Sequence, residues 1–267
     1  MNILQTTGLT RRFKDLTAVD HLDLSVSEGE IFGLLGPNGA GKTTVIKMLT
    51  TLLPPTEGGA TIAGFDIRRQ PARVRASIGY VPQLVSVDGA LSARENLLIF
   101  AKLYGVPRAQ RRNRIAESLD FAGLAGAAHR EVRGFSGGMV RRLELAMAML
   151  HRPRLLFMDE PTVGLDPVAR QAVWGQVRTL AREYGTTVFL TTHLMDEADA
   201  LCGRVAILNL GRMAALGRPA ELKESLGRAE ATLDEVFAHF TGNTLENEHD
   251  RNYRDIAQTR RNIARLG

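Results

Sequence analysis

The run Gly36-Pro37-Asn38-Gly39-Ala40-Gly41-Lys42-Thr43 sets glycines, a lysine and a hydroxyl at the spacing that cradles a chain of phosphates. Glycine lets the backbone adopt positive φ, so several N–H groups turn toward one anion. A helix opening near Gly41 adds the positive end of its dipole. Lys42 reaches terminal phosphates, the Thr43 hydroxyl suits Mg²⁺, and Thr44 extends the cradle. The ligand this predicts is a nucleoside triphosphate.

Leu155-Leu156-Phe157-Met158-Asp159-Glu160 supplies carboxylates. An apolar strand delivers them to its C-terminal end, where ligands of parallel sheets sit. Asp159 suits the surroundings of Mg²⁺, and Glu160, facing elsewhere, suits polarising an attacking water. Two acids after a strand also cap helices; the phosphate loop upstream favours the catalytic reading. His193 ends a strand over 188–192, which leaves it open to a γ-phosphate contact or to a plain surface role. Of the 6 histidines, the others fall on helices, loops or termini and read as surface residues.

These side chains need elements to hold them. Leu22, Leu24 and Val26 alternate with polar residues, predicting a half-buried strand. Further strands are expected at 30–35, 61–63, 78–81, 155–158, 188–191 and 205–208. Apolar residues at helical spacing follow the phosphate loop (Val45, Ile46, Leu49), and 167–184 is also helical in period. Strands alternating with helices predict an α/β fold with a mostly parallel core sheet. The stretch 84–150 breaks this rhythm: 94–104, 108–121 and 137–150 read as helices with no strand among them, an inserted helical subdomain. Two short helices follow, at 219–226 and 233–240. Beyond 242 lies a polar, basic tail, 243–267. Tyr253, Ile256, Ile263 and Leu266 fall near one face of a possible helix there, with arginines around it, which touches the inner membrane surface, packs loosely on its own domain or a dimer mate, or stays mobile.

Composition narrows the class. Among 267 residues, 44% are hydrophobic and 24% charged, the balance of a soluble domain with a real core. No apolar run approaches the ~18 residues of a membrane span. The first ten residues carry neither basic leader nor apolar stretch, so a cytoplasmic location is expected. The net charge of +5 comes from scattered arginines, which read as a solvated surface and argue against nucleic acid. A single cysteine, Cys202, excludes an internal disulfide and multi-cysteine zinc sites and reads as a small buried apolar residue.

Phe135-Ser136-Gly137-Gly138-Met139, ahead of the Asp159-Glu160 strand, resembles the signature motif of ABC-transporter nucleotide-binding domains, which more usually begins with leucine and ends with glutamine. Gln83 resembles that family's Q-loop glutamine, Val163-Gly164-Leu165-Asp166 its D-loop and His193 its switch histidine. Phe13 resembles the aromatic residue that stacks on adenine. The likeness spans roughly residues 2–217. It implies the P-loop NTPase fold of ABC ATPases, with an antiparallel β edge, within one ATP-binding domain over 1–242. It implies ATP and Mg²⁺ as ligands, with Glu160, His193 and Gln83 catalytic, and Thr43, Asp159 and Gln83 toward the metal. It further implies a head-to-tail pair of cassettes, read as a homodimer, in which Ser136, Gly137 and Gly138 face the partner's ATP. A separate membrane permease would dock near the Gln83 loop and the helical subdomain, which places the chain on the inner membrane face.

Met139 followed by Arg141-Arg142-Leu143-Glu144 is similar to the drug-export branch of the daunorubicin type, as are residues 4–13 and 231–237. A soluble ABC ATPase acting on nucleic acid or ribosomes is the rival reading, but those usually fuse two cassettes or carry a long coiled coil. An importer of the sugar type usually carries a longer C-terminal domain, although a small importer cassette fits the length.

Overall fold

Ile31–Leu35, an apolar run ending in glycine, forms a central strand of the larger sheet. The computed structural model describes residues 1–228 and 230–242. In chain order the elements are β1 (Asn2–Phe13), β2 (Leu16–Leu22), β3 (Ser25–Ser27), β4 (Ile31–Leu35), α1 (Lys42–Leu49), β5 (Glu57–Ile62) and β6 (Phe65–Asp66). Then come α2 (Pro71–Ser77), β7 (Ile78–Val81), α3 (Ala93–Leu103), α4 (Arg108–Phe121), α5 (Gly137–Met149) and β8 (Leu155–Asp159). The chain continues with α6 (Pro167–Arg182), β9 (Thr187–Thr192), α7 (Met195–Leu201), β10 (Arg204–Asn209), β11 (Arg212–Gly217), α8 (Pro219–Glu224) and α9 (Leu233–Thr241). The described residues fall into two compact units, Met1–Pro219 and a second that begins at Ala220.

The first unit holds two sheets. The six-stranded sheet runs β11-β10-β4-β9-β8-β7, parallel throughout except for β11 at its edge. Every residue of β8 and β9 is buried, as expected of parallel strands covered on both faces. The other sheet, β2-β1-β5-β6 with β3 on β1, is wholly antiparallel. Across the parallel strands Phe189 stacks on Phe32 and meets Phe157 at a tilt, and Val45, Ile46 and Leu49 of α1 join the same core.

The strand expected across 22–26 is broken in two. Leu22 closes β2 and Val26 lies in β3, while Leu22, Leu24 and Val26 are all buried. The cause is the Thr6 hydroxyl, which donates to Leu22 O at 2.7 Å and accepts from Leu24 N at 2.8 Å. A side chain thus replaces a rung of the ladder. The helical insertion forms as expected: α3, α4 and α5 close over Leu97, Ile115, Leu119, Leu143 and Met147. Its one strand-like feature among the described residues is an isolated bridge, Ser92 to Glu131.

His151 departs from its surface reading. Its ring stacks on Tyr104 with centroids 3.9 Å apart and meets Ile78 O at 2.9 Å, and burial lowers its pKa. Cys202 is buried as expected, and burial raises its thiol pKa. In the second unit, Thr232 and Glu235 form a capping box that starts α9. The basic tail 243–267 lies outside the described residues. Among those described, no helix is long and apolar enough to cross a membrane.

Helix α5 seats so closely on β7 that a Cβ at Gly79 would lie 2.5 Å from Ala148 O. Gly79→Ala must therefore push the helix off the sheet, and overpacking of this kind costs about 1–3 kcal/mol. Urea denaturation checks this: the midpoint should fall, and an unchanged midpoint would mean that α5 shifts at no cost.

Candidate active site

Four neighbouring strands, β4-β9-β8-β7, each end at the same rim of the sheet. At or just past their carboxyl ends stand Lys42, His193, Asp159 with Glu160, and Gln83, in that order. The sheet thus brings residues far apart in sequence to one place, where ligands of parallel α/β sheets bind.

The loop between β4 and α1 depends on glycine at two points. A Cβ at Gly36 would sit 2.5 Å from Leu208 O. At Gly41, φ is +106° and a Cβ would sit 2.4 Å from Ala18 O. The loop can therefore pass close to β2 and β10 only without side chains there. It wraps the ammonium of Lys42, which is 5% exposed and donates to Gly36 O at 2.8 Å and Pro37 O at 3.2 Å. Its Nζ also stands 3.3 Å from Glu160 Oε1.

Asp159 is 1% exposed and accepts from the Thr191 hydroxyl at 2.6 Å and the Thr43 hydroxyl at 3.3 Å. Glu160 follows at φ +48°, a left-handed conformation rare for a residue with a side chain. This turn is held by its N–H, which donates to Thr191 O at 3.0 Å. Its side chain consequently points away from that of Asp159 and into a ring of partners. His193 Nδ1 lies 3.2 Å from Oε1, and Gln83 Nε2 donates to Oε2 at 3.0 Å. The hydrogen bond from His193, foremost, and the charge of Lys42 hold the Glu160 carboxyl below the usual carboxylate range, against the opposing pull of burial.

A cleft of about 390 Å³ opens over these groups. Its lining includes Phe13, Asn38, Gly39, Gly41, Lys42, Thr43, Thr44, Gln83 and Glu160. Phe13 ends β1 with one face against the Arg11 guanidinium, 4.5 Å from the ring centre. Asp159, His193, Gly36, Pro37 and Ala40 are not part of this lining. Ser136, Gly137 and Gly138 do not line this cleft. Ser136 caps α5 by accepting from Met139 N at 3.3 Å, and Gly138 abuts α6 so closely that a Cβ would lie 2.6 Å from that of Ala169.

A Mg²⁺ site has suitable donors. The Thr43 hydroxyl and Asp159 carboxylate stand side by side, both hard oxygens with only one negative charge between them. Such a pair fits an ion that keeps waters and takes phosphate oxygens, not one that needs an all-protein cage. Among the described residues no cluster of three or more His, Cys, Asp or Glu offers such a cage.

Sequence reasoning missed two supports. Thr191 bonds both Asp159 and the Glu160 backbone. Glu197, fully buried on α7, accepts from the Thr162 hydroxyl at 2.7 Å and Trp174 Nε1 at 3.0 Å, and burial raises its pKa. It thus links the segment after Glu160 to the helix after His193. The only signal in the sequence was a pair of acids in a helical first turn.

The sequence profile described as ABC transporter matches residues 19–163. The daunorubicin/doxorubicin resistance ATP-binding protein of Streptomyces peucetius is 47% identical over 84% of this chain and 68% of its own length. A Nod factor export ATP-binding protein of Cupriavidus metallidurans is 44% identical over 84% and 73%. The linearmycin resistance ATP-binding protein of Bacillus subtilis is 40% identical over 84% and 72%. Among solved structures, an ATP-binding subunit of an ABC transporter superposes with a TM-score of 0.80 at 28% identity, covering 89% of this chain and 99% of its own. A dimeric ATP-binding cassette in a post-hydrolysis state, bound to ADP and Pi, gives 0.72 at 27% identity over 80% and 98%.

The ring around Glu160 has a consequence for pH. A carboxylate with a depressed folded pKa adds stability above its ordinary value and loses it as pH falls through the folded one. The stability of wild type relative to Glu160→Gln should therefore decline as pH drops below the ordinary value of 4.5. Denaturant titrations across acidic pH measure this difference; one that stays constant would mean that the ring does not hold an ionised carboxylate.

Proposed function

This chain belongs to the ABC transporter family as an ATP-binding, ATP-hydrolysing subunit, and we propose that it powers the export of drug-like compounds through a separate membrane permease. The hydrolytic part rests on one observation above all: Lys42, Gln83 and His193 converge on the carboxylate of Glu160 at the mouth of the phosphate loop. The export part rests on likeness to resistance and export proteins at 40–47% identity over 84% of the chain.

In this reading the loop N–H groups and Lys42 bind the β- and γ-phosphates, and Phe13 stacks on the adenine. Thr43, Asp159 and Gln83 would hold Mg²⁺, which when bound neutralises charge on the phosphate oxygens. A γ-phosphate at Lys42 competes with Glu160 for the same ammonium, which releases a carboxylate oxygen toward water. Glu160 then accepts a proton from that water as its oxygen bonds to the γ-phosphorus. The bond from that phosphorus to the β,γ-bridging oxygen breaks, and ADP departs with the electron pair. His193 and Gln83 orient Glu160 throughout.

Ser136 and the first N–H groups of α5 form a second anion-binding helix start, outside this cleft. Their use is explained if each serves the ATP of a second cassette in a head-to-tail homodimer. The ATP-binding domain is taken to run to residue 242, at the cytoplasmic face beside the permease, with no nucleic acid partner.

Glu160→Gln keeps shape but loses basicity, so ATP should still bind while hydrolysis falls by ~10²–10⁴. Dimers should accumulate with ATP, as seen by light scattering; near-wild-type turnover with no dimer would remove Glu160 from the chemistry. For export, co-expression with its membrane permease should raise drug tolerance in a sensitive host. Tolerance that survives Lys42→Ala would mean that ATP use by this chain does not drive it.

A further inference from the structure

Helix α5 carries a buried ion pair, Arg141 and Glu144, that the chemistry described so far does not use. Both residues are nearly excluded from solvent, at 7% and 3% exposure. Arg141 Nη1 stands 3.0 Å from Glu144 Oε2. Both side chains then turn to the segment that carries Gln83. The guanidinium donates to Pro82 O at 2.8 Å and Gln83 O at 3.3 Å. Glu144 Oε1 accepts from Ser86 N at 2.6 Å and from the Ser86 hydroxyl at 2.9 Å.

Little else fixes this loop. Leu84 and Val85 are 82% and 65% exposed and contribute no core anchor. Among the described residues, 83–86 make no backbone–backbone hydrogen bond outside regular elements. The pair therefore sets where the loop runs, and with it whether Gln83 Nε2 reaches Glu160 Oε2 at 3.0 Å. Stability alone does not explain such a pair, because well-packed apolar replacements of buried ion pairs are often neutral or better. Geometry does explain it. A planar guanidinium spans two successive carbonyls, which a lysine ammonium does not match.

We propose that Arg141 and Glu144 are positioning residues that clamp the Gln83 loop to α5, so that the Gln83 side chain is held within reach of Glu160. This rests on the assignment of Gln83 to the hydrolytic site.

The test compares wild type, Gln83→Ala, the double variant Arg141→Met/Glu144→Leu, and the triple variant. Each is measured for denaturation midpoint, Mg·ATP affinity and kcat. The double variant should keep its midpoint and its affinity, while kcat falls by up to about 10²-fold, the scale of a small misplacement in a site. The triple variant should lose no more than Gln83→Ala alone, because the clamp acts through Gln83 and adds nothing once that side chain is gone. A double variant with wild-type kcat beside an impaired Gln83→Ala overturns the clamp alone, as does an additive loss in the triple. Full activity in Gln83→Ala overturns both the clamp and the site assignment beneath it. Should the double variant fail to fold, Arg141→Lys keeps the charge pair but not the span of two carbonyls. It should give a reduced kcat at unchanged ATP affinity, and wild-type kcat there overturns the proposal.

Discussion

A carboxylate that is 6% exposed, that of Glu160, sets the terms for the whole site. Burying an ionised carboxylate without partners is too costly to tolerate, so its surroundings must supply donors and positive charge. Here they come from Lys42, Gln83 and His193, each past the end of a different strand. None of these partners is near Glu160 in sequence. The parallel sheet has to form in the correct order before this one charge is compensated. Folding of the sheet and assembly of the site are in that sense a single event. The left-handed backbone at Glu160 adds a local cost of order 1–3 kcal/mol, offset by its N–H bonds to Thr191.

What the sequence made legible follows the same physics. Strands β4, β8, β9 and β10 are buried along nearly their whole length, so they appear as short, mainly apolar runs. The phosphate loop is contiguous and needs its glycines where close backbone approach allows nothing else. The antiparallel sheet was harder to see. β1 is rich in threonine and arginine, half exposed, and irregular in register, so neither a period of two nor an apolar run marks it. The single strand expected across 22–26 fails because Thr6, distant in sequence, inserts its hydroxyl between Leu22 and Leu24. The roles of Thr191, Glu197 and the Arg141–Glu144 pair were hidden for the same reason. Each is defined by a partner tens of residues away.

Two departures from the usual family pattern have local physical accounts. Met139 replaces a glutamine at the end of the signature motif, and it packs against the core of the helical insertion. The capping bond runs from the Met139 N–H to the Ser136 hydroxyl and takes nothing from the side chain at 139, so the helix start does not depend on which residue stands there. Phe13 lacks the hydroxyl of a tyrosine but keeps a ring, one face of which is covered by the Arg11 guanidinium. Such a contact steadies an exposed aromatic ring at the lip of a cleft and leaves its other face for stacking.

Trp174 is the one tryptophan of the chain. Its indole is 5% exposed, and its N–H rests on Glu197 beside the hydroxyl of Thr162, two residues beyond Glu160. Indole emission depends on the charge and wetness of its surroundings. The molecule thus carries a built-in fluorophore two hydrogen bonds, by way of Glu197, from the segment that follows its buried carboxylate. Emission excited at the red edge of protein absorbance comes from that single ring. Rapid-mixing records of intrinsic light therefore follow this part of the molecule during turnover with no dye attached.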